Sequence, residues 1–199
     1  MMKKEKLHSK VLDIIKFRRS VRSFDAKPIE PEKMDIILEA ARLAPSSDNS
    51  QPWRFIVVDD KELLMQVAKA QSIPNINKFL QEAAAIIVCV DEPKLLIHKA
   101  ADLVNRDNQR IDVGIAMEHM VLVAAEMGIG SCWIGWFKEK KIKELLHIPS
   151  KKSISVMVAL GYPKKESDSQ GIGGIKPRPR KNLSNIAGHN HYDTDYSIQ

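Results

Sequence analysis

The sequence predicts a single mixed helix-and-strand domain in which four strands interleave with helices. Three observations carry this expectation. At 199 residues the chain can bury roughly 70% of the surface it exposes when unfolded, enough for one substantial core. Its composition, 44% hydrophobic and 28% charged, is that of an ordinary globular protein, without the bias of disordered or fibrous chains. Finally, stretches with the 3.6-residue spacing of helices give way to short runs of β-formers, with Pro and Gly at the joins.

The elements follow in order. Ser9 is a suitable N-cap, and Val11, Leu12, Ile14, Ile15 and Phe17 recur at helical spacing, so a helix runs straight into the basic segment Arg18-Arg19-Ser20-Val21-Arg22. Pro31 in a first turn, Glu32 after it and Met34, Ile37, Leu38 and Ala41 on one face mark a second helix, which Pro45 stops. Turn formers fill Ser46 to Pro52, and Trp53 to Val58 reads as a strand. Lys61 to Ala70 reads as a helix, Pro74 breaks the chain, and the continuous apolar run Ala84 to Val90 has the character of a central strand. Residues 91–109 have no clear period. Ile111 to Met127 is a long, largely buried helix closed by Gly128 and Gly130. Cys132 to Phe137 is expected as a strand, Glu139 to Leu146 as a short helix, and Ile154 to Leu160 as a strand ending at Gly161-Tyr162-Pro163.

From Lys164 onward Gly and Pro recur without a period, so this segment is expected to be a loop-rich arm. It nevertheless carries Ile172, Ile175, Leu183, Ile186, Tyr192 and Tyr196, apolar side chains that need another surface, for which a second subunit is the natural candidate. Residues 1–163 are therefore read as the core, and 164–199 as an arm of the same domain. No internal repeat or low-complexity tract is present.

The formal net charge of +6 and pI near 9.2 suit an anionic ligand, a nucleic acid or a membrane surface. No window approaches the roughly 20 apolar residues of a membrane span, and the basic start, Met1 to Lys10, lacks a following apolar signal region, so a cytoplasmic location is expected. Cys89 in an apolar run and Cys132 beside Trp133 have no Cys or His nearby at metal-ligand spacing. They are read as small buried hydrophobes, with a redox or nucleophilic role for Cys132 as the alternative.

Arg18, Arg19 and Arg22 with Ser20 place guanidinium forks and a hydroxyl within five residues, a pattern that matches phosphate oxygens. A solvated helix end complementing the helix dipole is the other local reading. A second basic run, Lys176-Pro177-Arg178-Pro179-Arg180-Lys181, repeats the chemistry far along the chain, and the two could converge on one anion. A nucleic-acid contact would want interleaved aromatics or a groove-reading helix, which neither run has. The loop Ser46-Ser47-Asp48-Asn49-Ser50-Gln51 offers hydroxyls and amides that both donate and accept. It fits a self-satisfied turn and a contact with a heterocycle edge equally well. Gly171-x-Gly-Gly neither follows a strand nor opens a helix, so it is not a dinucleotide fingerprint.

Taken together, Arg-Arg-Ser-Val-Arg, then Ala-Pro-Ser-Ser-x-Asn-x-Gln-Pro-Trp, Gly128-Ile-Gly-Ser-Cys-Trp-Ile-Gly135, Gly161-Tyr-Pro and a late Pro-Arg-Lys resemble the landmarks of the FMN-dependent nitroreductase family, in the family's order and over nearly the whole chain. The resemblance implies a three-layer α+β fold with a mainly antiparallel sheet flanked by helices, and a C-terminal arm exchanged in a homodimer. It implies FMN at the subunit interface, held at its phosphate and ribityl chain by Arg18, Ser20, Arg22 and Arg180, with Arg19 contributing partly through its backbone and Arg178 assisting. Pro45, Ser46, Ser47, Asn49 and Gln51 would contact the flavin, mostly across the interface, while Trp133, Ile134 and Gly135 would lie by the ring. NADH or NADPH would reduce the flavin, which would then reduce a small-molecule acceptor in ping-pong turnover, with residues 91–109 as a lid that selects it. Related reactions, namely dehalogenation, enone reduction and flavin breakdown, stay open, as does a flavin-free binding protein using the basic runs. The chain departs from the family at Glu118 and His119, which stand where an amide-rich helix centre is usual. His119 is read as a hydrogen-bonded core or dimer-seam residue, with a proton relay as the alternative.

Overall fold

The structure, a computed structural model, describes residues 8–73, 76–92, 108–164 and 178–196. Five helices and four strands occur among them: α1 (Lys10–Phe17), α2 (Pro31–Arg42), β1 (Trp53–Val58), α3 (Lys61–Lys69), β2 (Ala85–Asp91), α4 (Asn108–Glu126), β3 (Gly130–Ile134), α5 (Glu139–Leu145) and β4 (Ile154–Gly161). Side chains cap the starts of α1, as expected at Ser9, and of α3, at Asp60. Ser9 Oγ accepts from the Leu12 N–H (3.3 Å) and Asp60 Oδ1 from the Leu63 N–H (2.9 Å), each satisfying an otherwise orphaned amide. The long α4 ends in a Schellman arrangement, with Gly128 at φ 76° and the Ile129 N–H reaching back to Ala124 O (2.8 Å).

The strands form one antiparallel sheet in the order β1-β2-β4-β3. Central β2 explains itself through its period of two. Ile86, Val88 and Val90 enter one core with Leu64 and Val67 of α3 and Ile142 of α5. Ile87 and Cys89 enter the other, with Ile37 and Ala41 of α2 and Met117, Met120 and Val121 of α4. A strand buried on both faces needs a continuous apolar run rather than an alternating one. The result is a three-layer α+β fold with helices on both faces of the sheet.

Two features depart from the sequence reading. Strand β3 covers Gly130–Ile134 rather than Cys132–Phe137. Gly130 is opposite Gly161 in the β3–β4 ladder, while Trp136 turns out to solvent, 62% exposed, and Phe137 bridges to Gln71 instead. And α1 buries none of its residues; Val11, Leu12, Ile15 and Phe17 are all exposed. Among the described residues no helix is long and apolar enough to cross a membrane.

Candidate active site

The basic segment is fixed to the sheet by its neighbours, not by its charges. A Cβ on Gly130 would lie 2.7 Å from Val21 Cγ2, and one on Gly161 would lie 2.9 Å from Phe24 Cδ1. The paired glycines thus leave a slot into which Val21 and Phe24 fit, and both side chains are fully buried there. Burial of two such side chains contributes about 1.5–3 kcal/mol each. Backbone bonds complete the seam. Ser20 bridges to Ser131 in parallel, the Val21 N–H donates to Ser131 O (2.8 Å), and the Asp25 N–H donates to Tyr162 O (2.7 Å). With Val21 and Phe24 turned inward, exposed Arg22 projects outward, while Arg18, Arg19 and Ser20 are half-buried at the end of α1.

The second basic run meets the first. Arg178 Nη2 donates to the carbonyls of Ile15 and Lys16, both at 3.3 Å, at the C-terminus of α1 where a cation complements the helix dipole. Its guanidinium is held below its ordinary pKa, first by partial burial, then by Arg18, Arg180 and Arg19. Arg18 and Arg19, some 160 residues away in sequence, and Arg180 thus lie near enough to Arg178 to act on its charge. Glu118 on α4 partly answers them, 3.6 Å from Arg18 Nε, and burial pushes that carboxyl up despite Arg18 and His119. Arg22 and Arg18 also act on the Cys132 thiol, which burial raises and these charges oppose. The cluster thus adjoins β3.

The loop after α2 is built quite differently. Ser47–Asn49 makes one 3₁₀ turn in which Asp48 and Asn49 are left-handed (φ 52° and 51°), and Gln51 follows at φ 47°. Such backbone costs about 1–2 kcal/mol per ordinary L-residue, less for Asp and Asn, and persists only where the surroundings impose it. Here Ser46 Oγ accepts from the Gln51 N–H (2.9 Å), and Gln51 Nε2 donates to Asn49 O and Oδ1, both at 3.1 Å. Buried Asp112 of α4 accepts from both the N–H and the hydroxyl of Ser47, at 3.1 and 3.2 Å. Pro45, Asn49 and Gln51 remain exposed, Ser46 and Ser47 half-exposed. Asp112 had no place in the sequence reading; its signal was an acid among Val113, Ala116 and Met117 on the buried face of an apolar helix.

Both halves are mounted on α4, the loop through Asp112 and the arginines through Glu118. Six residues apart, these lie about 9 Å along the axis and roughly 120° around it. One chain's loop and arginine cluster are therefore held on different faces of the helix. On β3, Ile134 is buried, Trp133 is half-buried, and Gly135 is exposed just beyond the strand's end, with nothing within 4 Å of an added Cβ. The Ser50 and Ser131 hydroxyls are buried without a hydrogen-bond partner among the described residues. Cys89 and Cys132 are both free and buried, the Cys89 thiol pushed up to about 12 by burial and then by Asp91. His119 is half-buried on α4. Residues 93–107 of the expected lid, and Lys176 and Pro177 of the second basic run, lie outside the described residues. Among the described residues no group of three or more His, Cys, Asp or Glu side chains could hold a metal.

The described residues thus form a three-layer α+β fold with an arginine cluster beside β3 and a left-handed polar loop tied to α4. The chain belongs to the nitroreductase family, an oxidoreductase family whose model matches residues 15–162. It is 40% identical over 165 residues, 79% of this chain and 87% of the relative, to an Archaeoglobus fulgidus protein provisionally named NADH dehydrogenase/NAD(P)H nitroreductase. Among solved structures, a nitroreductase family protein from Clostridium novyi NT superimposes with a TM-score of 0.72 at 30% identity, covering 94% of this chain and 97% of that one. An FMN-dependent nitroreductase from Clostridium difficile R20291 gives a TM-score of 0.66 at 35% identity, covering 78% of this chain and 89% of that one.

Proposed function

We propose that this chain is an FMN-dependent, NAD(P)H-consuming oxidoreductase acting as a homodimer. The observation that carries the proposal is the convergence of Arg18 and Arg19 with Arg178 and Arg180, whose mutual repulsion a phosphate dianion would relieve. The surroundings fit such a group: an anion site beside β3, an exposed strand end at Gly135, buried hydroxyls in want of partners, and a mixed donor and acceptor loop.

In this reading Arg18, Ser20, Arg22, Arg178 and Arg180, with Arg19 in part through its backbone, hold the phosphate and ribityl end. Trp133, Ile134 and Gly135 line the ring, Ile134 through its backbone since its side chain is buried. Pro45, Ser46, Ser47, Asn49 and Gln51 address the ring from the other subunit. The separation of loop and arginines on α4 supports that division, as do the exposed apolar residues of α1 and of the arm, among them Leu183 and Ile186. When bound, FMN would supply the redox chemistry, taking a hydride from NADH or NADPH and passing two electrons to a nitroaromatic, quinone or similar acceptor in ping-pong alternation. The chain's own task is to fix the cofactor's orientation and leave one ring face open; no general acid is assigned.

The test is the absorbance spectrum of the purified protein, with release and identification of the bound chromophore. A yellow protein releasing FMN, bleached by NADH or NADPH and reoxidised by an acceptor panel, is expected. Protein that is colourless and takes up no added FMN would overturn the proposal, and a stable FMN-binding monomer in sedimentation would overturn the shared site.

A further inference from the structure

Asp112 is the only acidic side chain buried among the described residues. It sits in the α2–α4 core beside Val113, Ala116 and Met117, where an apolar residue of equal size would pack without the cost of burying a carboxyl group. The work that offsets this cost is visible: both carboxyl oxygens are used by a single residue, Ser47, one by its N–H and one by its hydroxyl. Ser47 opens the 3₁₀ turn, and left-handed Asp48, Asn49 and Gln51 follow immediately. At the far end the loop is held by buried Pro52, whose carbonyl accepts from the Glu92 N–H (3.1 Å). Between these two points the loop's other hydrogen bonds among the described residues join its own members, Ser46, Ser47, Asn49, Ser50, Gln51 and the Trp53 N–H. Internal bonds hold a shape but do not aim it. The tie to a rigid helix aims it.

We infer that Asp112 is a positioning residue that, through Ser47, holds the Ser46–Gln51 loop in its left-handed conformation and directs Ser46, Asn49 and Gln51 at the flavin. The inference rests on the FMN reading above for its target, but not for the tie itself. Buried Asp112 acts through Ser47 rather than directly on a ligand. Its effect is to make the loop ready before binding, so its loss lowers affinity by the cost of ordering the loop on the ligand.

The test uses the full chain with Asp112→Ala, Asp112→Asn, Ser47→Ala and the Asp112→Ala/Ser47→Ala double variant. Three quantities are read: FMN affinity by flavin fluorescence, the apoprotein's melting temperature, and hydrogen-exchange protection of the Ser47 amide. Asp112→Ala is expected to weaken FMN about tenfold, the scale of one or two hydrogen bonds, and to expose the Ser47 amide to exchange. Asp112→Asn keeps an oxygen that can accept from that amide and should recover part of both. The double variant should lose less FMN affinity than the sum of the two single losses, because the Asp112–Ser47 contact is counted in both. Asp112→Ala with a lowered melting temperature but unchanged FMN affinity would make the residue merely structural and overturn the inference. Should Asp112→Ala fail to fold, wild-type affinity in both Asp112→Asn and Ser47→Ala overturns it equally. A wild-type protein that binds no FMN defeats the proposed function instead. The tie is then judged on the amide alone: protection lost in Asp112→Ala and kept in Asp112→Asn supports it, and unchanged protection in Asp112→Ala overturns it.

Discussion

Replacing Gly130 with alanine tests whether the sheet, rather than charge, sets the arginines in place. The added methyl would lie 2.7 and 2.9 Å from Val21 Cγ2 and Cβ, closer than real contacts allow, and 3.1 Å from Cγ1, and Val21 is wholly buried. Overpacking of this kind costs about 1–3 kcal/mol, against which the lower chain entropy of alanine returns about 0.5–1 kcal/mol. A net loss of about 1–2 kcal/mol lowers the melting temperature by roughly 2–8 °C for a chain of this size. Because Val21 must leave the seam and takes Ser20 and Arg22 with it, FMN affinity should fall about tenfold as well, equivalent to one well-made hydrogen bond. Thermal denaturation of the apoprotein and flavin titration read the two effects. Val21→Ala on the Gly130→Ala background should relieve only part of the clash, since Val21 Cβ remains. Gly114→Ala, where nothing lies within 4 Å of the new methyl, is the control and should stabilise α4 by up to about 1 kcal/mol. Gly130→Ala with unchanged melting temperature and unchanged affinity would refute the slot.

Arg22→Ala removes an exposed side chain and should leave stability within about 0.5 kcal/mol, while weakening FMN by about tenfold to a hundredfold, the worth of a charged hydrogen bond; equal affinity in a titration would show a solvated arginine. Glu30 is held down to about 2, chiefly by the hydroxyl of Tyr162, which donates to it. A depressed carboxyl stabilises the fold above its unfolded value near 4.5 and loses that contribution as pH falls toward 2. Denaturant titrations over that window should therefore lose stability less steeply for Glu30→Gln than for wild type, and identical slopes would exclude the effect. Cys89 and Cys132, both buried with raised thiols, should resist a thiol reagent at pH 8 until the protein unfolds, and rapid native labelling would contradict their burial.

How far the sequence revealed the molecule depends on whether the signal was local. Strand β1 runs Trp53–Val58 as its β-branched and aromatic content predicts, and β2 and β4 fall within a residue of their apolar runs. Strand β3 was displaced because Gly130 looks like part of the helix stop that Gly128 provides. It belongs to the ladder and makes room for Val21, more than a hundred positions away, and no window of sequence holds that fact. The same distinction applies at the site. The two arginine runs were visible as chemistry, and their meeting at the end of α1 was an inference that the Arg178 geometry supports. Asp112 stayed hidden because periodicity shows which face of α4 is apolar, not which polar atom on that face has a partner waiting on a loop. The antiparallel direction of the sheet likewise came from family resemblance, since strand periodicity carries no direction.

The placement of loop and arginines on separate faces of α4 has a consequence for genetics. On the proposed dimer, in which each flavin site is assembled from two chains, a chain crippled in its loop and another crippled in its arginines would be complementary lesions. When the two are mixed, a heterodimer contains one site in which both lesions fall together and one built wholly from undamaged halves. Two inactive proteins would thus restore activity on co-expression. Damage in this protein is then a property of the pair rather than of the polypeptide, and an allele's severity depends on its companion.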